Sequence, residues 1–282
     1  MKQTSTDAAP AAAMPANAMN FKVSGRGDTA VIFVHGFGCS LSDWDAQVER
    51  LSQRFTCVAL DMPGHGLSVV PTSHSMLALR DGARQVMDQV PAERYVLVGH
   101  SLGTRVINDV YLQSPQKIAG LAFVDGRYYE GDGEDVVKRM AGFVDADGFV
   151  PFMRRAFNGM FTDRADPQLR ERLTARAMTL DPTFGRAILL ESVLWDATLG
   201  RQKFAAIKVP VLLLQSSNIT ADRRLISMRP GMRTPYMDTI AELVADADVK
   251  IVPDVGHFAP LEAPTMVSDE LEAFIDRVSA SR

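Results

Sequence analysis

Gly99-His100-Ser101-Leu102-Gly103 sets a serine between two glycines, directly after the apolar run Tyr95-Val96-Leu97-Val98. The residues that follow, Leu102 to Gln113, repeat with helical period. A serine at a sharp turn from a buried strand into a helix is a candidate nucleophile. The strained turn lifts the hydroxyl clear of the sheet, and the flanking glycines avoid collisions with neighbouring backbone. The positive end of the helix lies beneath it. The five-residue pattern also arises by chance, so its weight comes from the strand before it, the helix after it and suitable partners elsewhere.

A serine hydroxyl needs a base to take its proton during attack, and that base must itself be oriented. His257, in Asp254-Val255-Gly256-His257-Phe258, follows the last apolar run and is expected at the same sheet edge as Ser101. The other four histidines have structural readings. His35 sits in a tight His35-Gly36 turn, His65 between glycines, His100 inside the serine turn, and His74 in a Pro/Ser-flanked loop expected to be solvated. An anion formed on an attacked carbonyl needs two backbone N–H donors. Leu102, the residue after the serine, supplies one, and Phe37 in His35-Gly36-Phe37-Gly38 is the expected second.

These groups meet only if several strands end at one rim. From about Met19, β-branched runs alternate with helical patterns, which predicts an α/β fold: a mostly parallel, doubly wound sheet. The expected strands are Phe21–Val23, Ala30–Val34, Thr56–Leu60, Tyr95–Val98, Gly120–Val124, Val209–Leu214 and Val249–Val252. Helical spacing marks Leu41–Ser52, Ser75–Val90, Leu102–Gln113, Pro235–Val244 and Pro264–Val278. The stretch 126–207 is too long for a bare connection and is helical in pattern, with Phe143, Phe149, Phe152, Phe157 and Phe161 among charges. It reads as a helical cap on a core formed by 20–125 and 208–282, with 1–19 as a disordered tail.

With 282 residues and a net charge of −4, the chain can bury a large core and gives no electrostatic reason to expect nucleic acid or an anionic membrane. No segment is apolar enough to span a bilayer, and the first residues lack a continuous secretory stretch, so a cytoplasmic protein is expected. Its two cysteines, Cys39 and Cys57, form no disulfide scaffold or metal cluster. Cys57 reads as buried, and Cys39 as partly exposed beside its glycine-rich loop. No motif implies a metal or an organic cofactor.

His35-Gly36-Phe37-Gly38, Asp61-Met62-Pro63-Gly64-His65-Gly66-Leu67-Ser68, the serine turn and Gly256-His257 followed by Glu262-Ala263-Pro264 occur together and in order. In this the chain resembles the α/β-hydrolase superfamily across nearly the whole core. The resemblance implies a serine hydrolase with a catalytic triad and a small-molecule ester substrate. It implies no catalytic role for Asp61–Ser68, and Glu262 reads as a helix-start anion. The triad acid departs from the commonest pattern: after Val209–Leu214 the chain reads Gln215-Ser216-Ser217-Asn218-Ile219-Thr220, with no carboxylate before Asp222. Some members carry the acid at the end of the strand after the serine helix, which is Asp125 here. Asp125 is favoured over Asp222, with Asp254 a distant third. The aromatic and methionine content of 126–207 suits a medium-sized hydrophobic acyl or alcohol group. Arg127, Arg154 and Arg155, and Arg223, Arg224, Arg229 and Arg233, raise the question of a substrate carboxylate, against the plainer reading of a solvated mixed-charge surface. A lactonase using the same residues, and a ligand-sensing protein with a hydrolase-like pocket, are the alternatives.

Overall fold

A computed structural model describes residues 19–220 and 224–280. Nine strands occur among them: β1 (Phe21–Ser24), β2 (Thr29–Val34), β3 (Thr56–Leu60), β4 (Arg94–His100), β5 (Ile118–Val124), β6 (Val211–Gln215), β7 (Ser217–Ile219), β8 (Leu225–Ser227) and β9 (Ala247–Ile251). Seven form one sheet in the order β1-β3-β2-β4-β5-β6-β9. Only β1 is antiparallel to its neighbour; the other pairings are parallel. This is the mostly parallel, doubly wound arrangement that the apolar runs predict.

The alternation of side chains along each strand builds two cores. Ile32, Val34 and Leu97 face one side with Leu79, Val106 and Ile240. Val31, Phe33, Val96 and Val98 face the other with Leu51, Leu271 and Phe274. The first side is covered by helices α2 (Met76–Gln89) and α3 (Leu102–Gln113), the second by α1 (Asp45–Leu51) and the long C-terminal helix, α11 (Pro264–Ala280). Every residue of β2 is buried, as burial on both faces requires.

Between β5 and β6 the chain folds into α4 (Gly133–Asp145), α5 (Phe149–Asn158), α6 (Pro167–Ala177), α7 (Pro182–Trp195), a π-helical turn Asp196–Gly200 and α8 (Arg201–Ala205). Asp132, Asp166 and Asp181 cap α4, α6 and α7, each accepting from a first-turn N–H. Phe149, Met153, Phe157, Phe161 and Phe184 are buried, whereas Phe143 is 40% exposed. After β6 come α9 (Pro235–Leu243) and, before α11, the short α10 (Ala259–Glu262).

Some expectations need correction. Met19, placed with the tail, is buried in the core, and residues 1–18 lie outside the described residues. Cys39 is fully buried rather than partly exposed, and burial pushes its thiol pKa far up. The segment after β6, read as a loop, forms the antiparallel β7–β8 hairpin. The predicted Leu41–Ser52 helix opens with a tighter 3₁₀ turn, Leu41–Trp44. His74 is half-buried, its ring perpendicular to that of Phe184 with centroids 5.4 Å apart, rather than solvated.

Candidate active site

Ser101 stands between the last residue of β4 and the first of α3, with φ 52° and ψ −114°. Among the described residues, Asp125 (44°) and Asp254 (63°) are the other non-glycines with positive φ. Such a conformation costs about 1–3 kcal/mol and persists only where the surroundings impose it. Here the surroundings are close. A Cβ on Gly103 would lie 2.4 Å from the Val34 carbonyl oxygen, and one on Gly99 would lie 2.5 Å from that of Gly103. The Ser101 amide donates to Val124 O at 3.0 Å, and its carbonyl accepts from the Thr104 hydroxyl at 2.7 Å. The hydroxyl of Ser101 makes no capping bond to α3.

Asp125 leaves the end of β5, in register beside β4, where His100 pairs with Val124. Its carboxylate is buried and fully engaged. Oδ1 accepts from Gln215 Nε2 (3.0 Å) and from the amides of Ser216 (2.8 Å) and Ser217 (2.7 Å). Oδ2 accepts from Ser217 Oγ and from His257 Nδ1, both at 2.6 Å. Burial pushes the Asp125 pKa up. The hydrogen bond and charge of His257, with the bonds from Ser217 and Ser216, outweigh it and hold the carboxyl below its ordinary value.

His257 follows β9 in a buried loop. Asp125 is the only hydrogen-bond partner of its ring among the described residues. With Nδ1 donating to Asp125, Nε2 is left as the basic nitrogen. The loop is fastened on each side of the imidazole. Glu262 accepts from the amides of Gly256 and Phe258, both at 3.1 Å. His257 N donates to Met160 O at 3.0 Å, and its carbonyl accepts from His100 Nε2 at 2.8 Å. The rings of His100 and His257 are 4.7 Å apart, which brings the imidazole beside the residue preceding Ser101. Burial raises the Glu262 pKa against the two amide bonds that lower it.

The loop after β2 closes with Cys39 N donating to Gly36 O at 3.2 Å. A Cβ on Gly36 would lie 3.1 Å from that of Ser101, so this loop abuts the serine turn. Phe37 is half-buried, edge-on to His65 and Phe149. Leu102 supplies the first N–H of α3. Thus the loops holding Phe37, Ser101 with Leu102, Asp125 and His257 lie at one end of the parallel strands. Asp222 falls outside the described residues. Asp254 lines a separate cavity with Thr162, Arg172 and Glu262, away from the Asp125–His257 contact.

His35 and His65 are structural. His35 donates to Gly36 O and accepts from Met62 N, and His65 donates to Pro63 O. Arg155 pairs with Asp147 and Arg233 with Asp238 at the surface. Sequence reasoning missed Gln215, Ser216 and Ser217 as the donors that hold Asp125. The signal was the polar run at the end of β6, where a carboxylate was sought. It also missed the grip of Glu262 on the histidine loop. Among the described residues, no group of three or more His, Cys, Asp or Glu side chains is placed to hold a metal ion, and no helix is long and apolar enough to cross a membrane.

Residues 31–270 match the family described as the alpha/beta hydrolase family. A dihydrolipoyllysine-residue acetyltransferase component of the acetoin cleaving system from Pseudomonas putida is 27% identical over 260 residues, 90% of this chain and 65% of that protein. A pimeloyl-[acyl-carrier protein] methyl ester esterase from Proteus mirabilis is 31% identical over 108 residues, 38% of this chain and 40% of that protein. The chain thus spans less than two thirds of the length of these curated relatives. The solved structure of a thermophilic esterase from Thermogutta terrifontis superposes with a TM-score of 0.76 at 22% identity, covering 92% of this chain and 93% of that one.

Proposed function

The chain belongs to the alpha/beta hydrolase family, and on that premise we propose that it is a serine hydrolase cleaving carboxylic esters of small to medium hydrophobic substrates through an acyl-enzyme. The observation that carries the reading is the buried 2.6 Å hydrogen bond between His257 Nδ1 and Asp125 Oδ2, beside the strained serine turn. In this reading Ser101 attacks the acyl carbonyl while Nε2 of His257 takes its proton. Asp125, held ionised by its donors, stabilises the imidazolium and fixes its tautomer. The Phe37 and Leu102 amides donate to the oxyanion, each worth about 3 kcal/mol in the transition state. His257 then protonates the leaving alkoxide. Water attacks the acyl-enzyme with His257 again as base, and the imidazolium returns that proton to Ser101 Oγ as the Oγ–acyl bond breaks and the acid product leaves.

The helices within 126–207 act as a cap over residues 20–125 and 208–282 in this proposal. Phe157 and Phe161 support that reading, because both pack on Phe258, the residue after the base, with ring centroids 5.8 and 4.7 Å away. A lactone is an internal ester, and the same groups would open one.

The test is a hydrolysis screen of short and medium acyl esters and lactones, with Ser101→Ala as blank. Turnover of an ester by the wild type and none by the variant is the expected result. Equal rates from both proteins overturn the proposal.

A further inference from the structure

A cavity of about 430 Å³ adjoins Asp125 and His257, and its walls include Arg127, Tyr129, Asn218 and Tyr236. The acids near it are already matched. The charge on Asp125 is met by His257 and four further donors. Asp196, behind the wall, is gripped by Arg105 through Nε (2.8 Å) and Nη2 (2.5 Å). Arg127 is the one cationic side chain among the described lining residues; its charge is felt at Asp196, but the carboxylate of Asp196 is hydrogen-bonded by Arg105 and not by Arg127. Its guanidinium stands 6.0 Å from the Tyr129 ring centre.

The wall is also fixed in place. Arg105 Nη2 donates to Arg127 O at 2.9 Å, and Tyr129 N donates to Asp196 Oδ2 at 3.2 Å. The buried Arg105–Asp196 pair therefore pins the backbone on both sides of Tyr128. A cavity with a cation carried on a pinned backbone, beside His257, is suited to the polar end of a substrate.

Resting on the proposed ester hydrolysis, we infer that this cavity binds a carboxylate carried by the substrate, with Arg127 as its counter-ion, so that the preferred substrates are half-esters of dicarboxylic acids. A planar guanidinium engages a carboxylate through two parallel N–H bonds, which a neutral ester of equal length cannot make.

The experiment compares 4-nitrophenyl hydrogen glutarate with 4-nitrophenyl pentanoate. In parallel, calorimetry measures binding of monomethyl glutarate and methyl pentanoate to the Ser101→Ala protein, which needs no turnover. The wild type is expected to favour the half-ester by about tenfold or more in kcat/KM, expressed mainly in KM. Arg127→Met should reduce that ratio to near one, and Arg127→Lys should keep part of it. The Ser101→Ala protein should bind monomethyl glutarate at least about tenfold more tightly than methyl pentanoate. A wild-type ratio near one, or a ratio unchanged by Arg127→Met, overturns the inference while leaving ester hydrolysis intact. If neither aryl ester is turned over, the calorimetry still decides: equal affinities for the two methyl esters overturn the carboxylate site.

Discussion

The Ser101 amide donates to the carbonyl of Val124 at 3.0 Å, so one main-chain hydrogen bond joins the serine to the residue immediately before Asp125. Both residues then turn into positive φ at the ends of adjacent parallel strands. The sheet thereby sets the spacing between the candidate nucleophile and the candidate acid. His257 is the member that arrives on a loop, and it is the one that needs fastenings of its own.

Replacement of Ser101 separates chemistry from strain. Ser101→Ala should lower kcat by about four orders of magnitude or more, with thermal unfolding little changed. Ser101→Gly should be as inactive but more stable, because glycine relieves about 1 kcal/mol of backbone strain. Differential scanning calorimetry should show its Tm raised by roughly 2–4 °C over Ser101→Ala.

Asp125→Asn should reduce kcat by about 10³–10⁴-fold, because an amide cannot stabilise the imidazolium and favours the wrong ring tautomer. Asp222→Asn should leave kcat within about threefold of wild type; the opposite ranking of the two variants would move the acid to Asp222. Acid unfolding gives an independent reading. The folded Asp125 carboxyl lies below its ordinary value, so its stabilisation is complete above about pH 4 and is lost as pH falls through the folded-state pKa. Asp125→Asn should therefore be less stable at neutral pH yet show a shallower loss below about pH 4 in urea titrations.

Glu262 accepts from the amides on both sides of His257, one oxygen for each. Glu262→Gln can satisfy only one of them with its single carbonyl oxygen. Its kcat is expected to fall about tenfold with KM nearly constant, as displacement of the base rather than loss of binding requires. A changed KM at constant kcat would refute that role.

Burial lowers the pKa of His65 to about 4 and that of His100 to about 3, and lowers that of His35 well below its usual value. All three are neutral in the folded state, while the unfolded chain protonates them near pH 6.5. Stability is then fully present above about pH 6.5 and declines as pH falls toward the folded values. Each residue contributes a slope of about 1.4 kcal/mol per pH unit in that window. His65→Gln should remove one such increment, measured as the pH dependence of unfolding free energy between pH 6.5 and 4.5.

What was legible in the sequence is what short spacing encodes. Gly99 and Gly103 announced the crowded turn around Ser101, and the β-branched runs announced the parallel strands. His257 stood out because the other histidines had local structural roles. What was not legible depends on distant chain segments meeting. Gln215, Ser216 and Ser217 become donors only when β6 lies against β5, and the sequence shows merely a polar run. Cys39 looked accessible because its neighbours are turn residues, yet α6 crosses above them, where Arg176 binds Asp43 and Ser40. The β7–β8 hairpin was hidden because its strands are only three residues each and carry no apolar alternation.

The amide of His257 spends its proton on Met160, just beyond the end of α5. Swinging that corner of the helical insertion outward would strip the imidazole loop of an anchor. A displacement of that corner is therefore felt at the imidazole itself, even with the sheet unmoved.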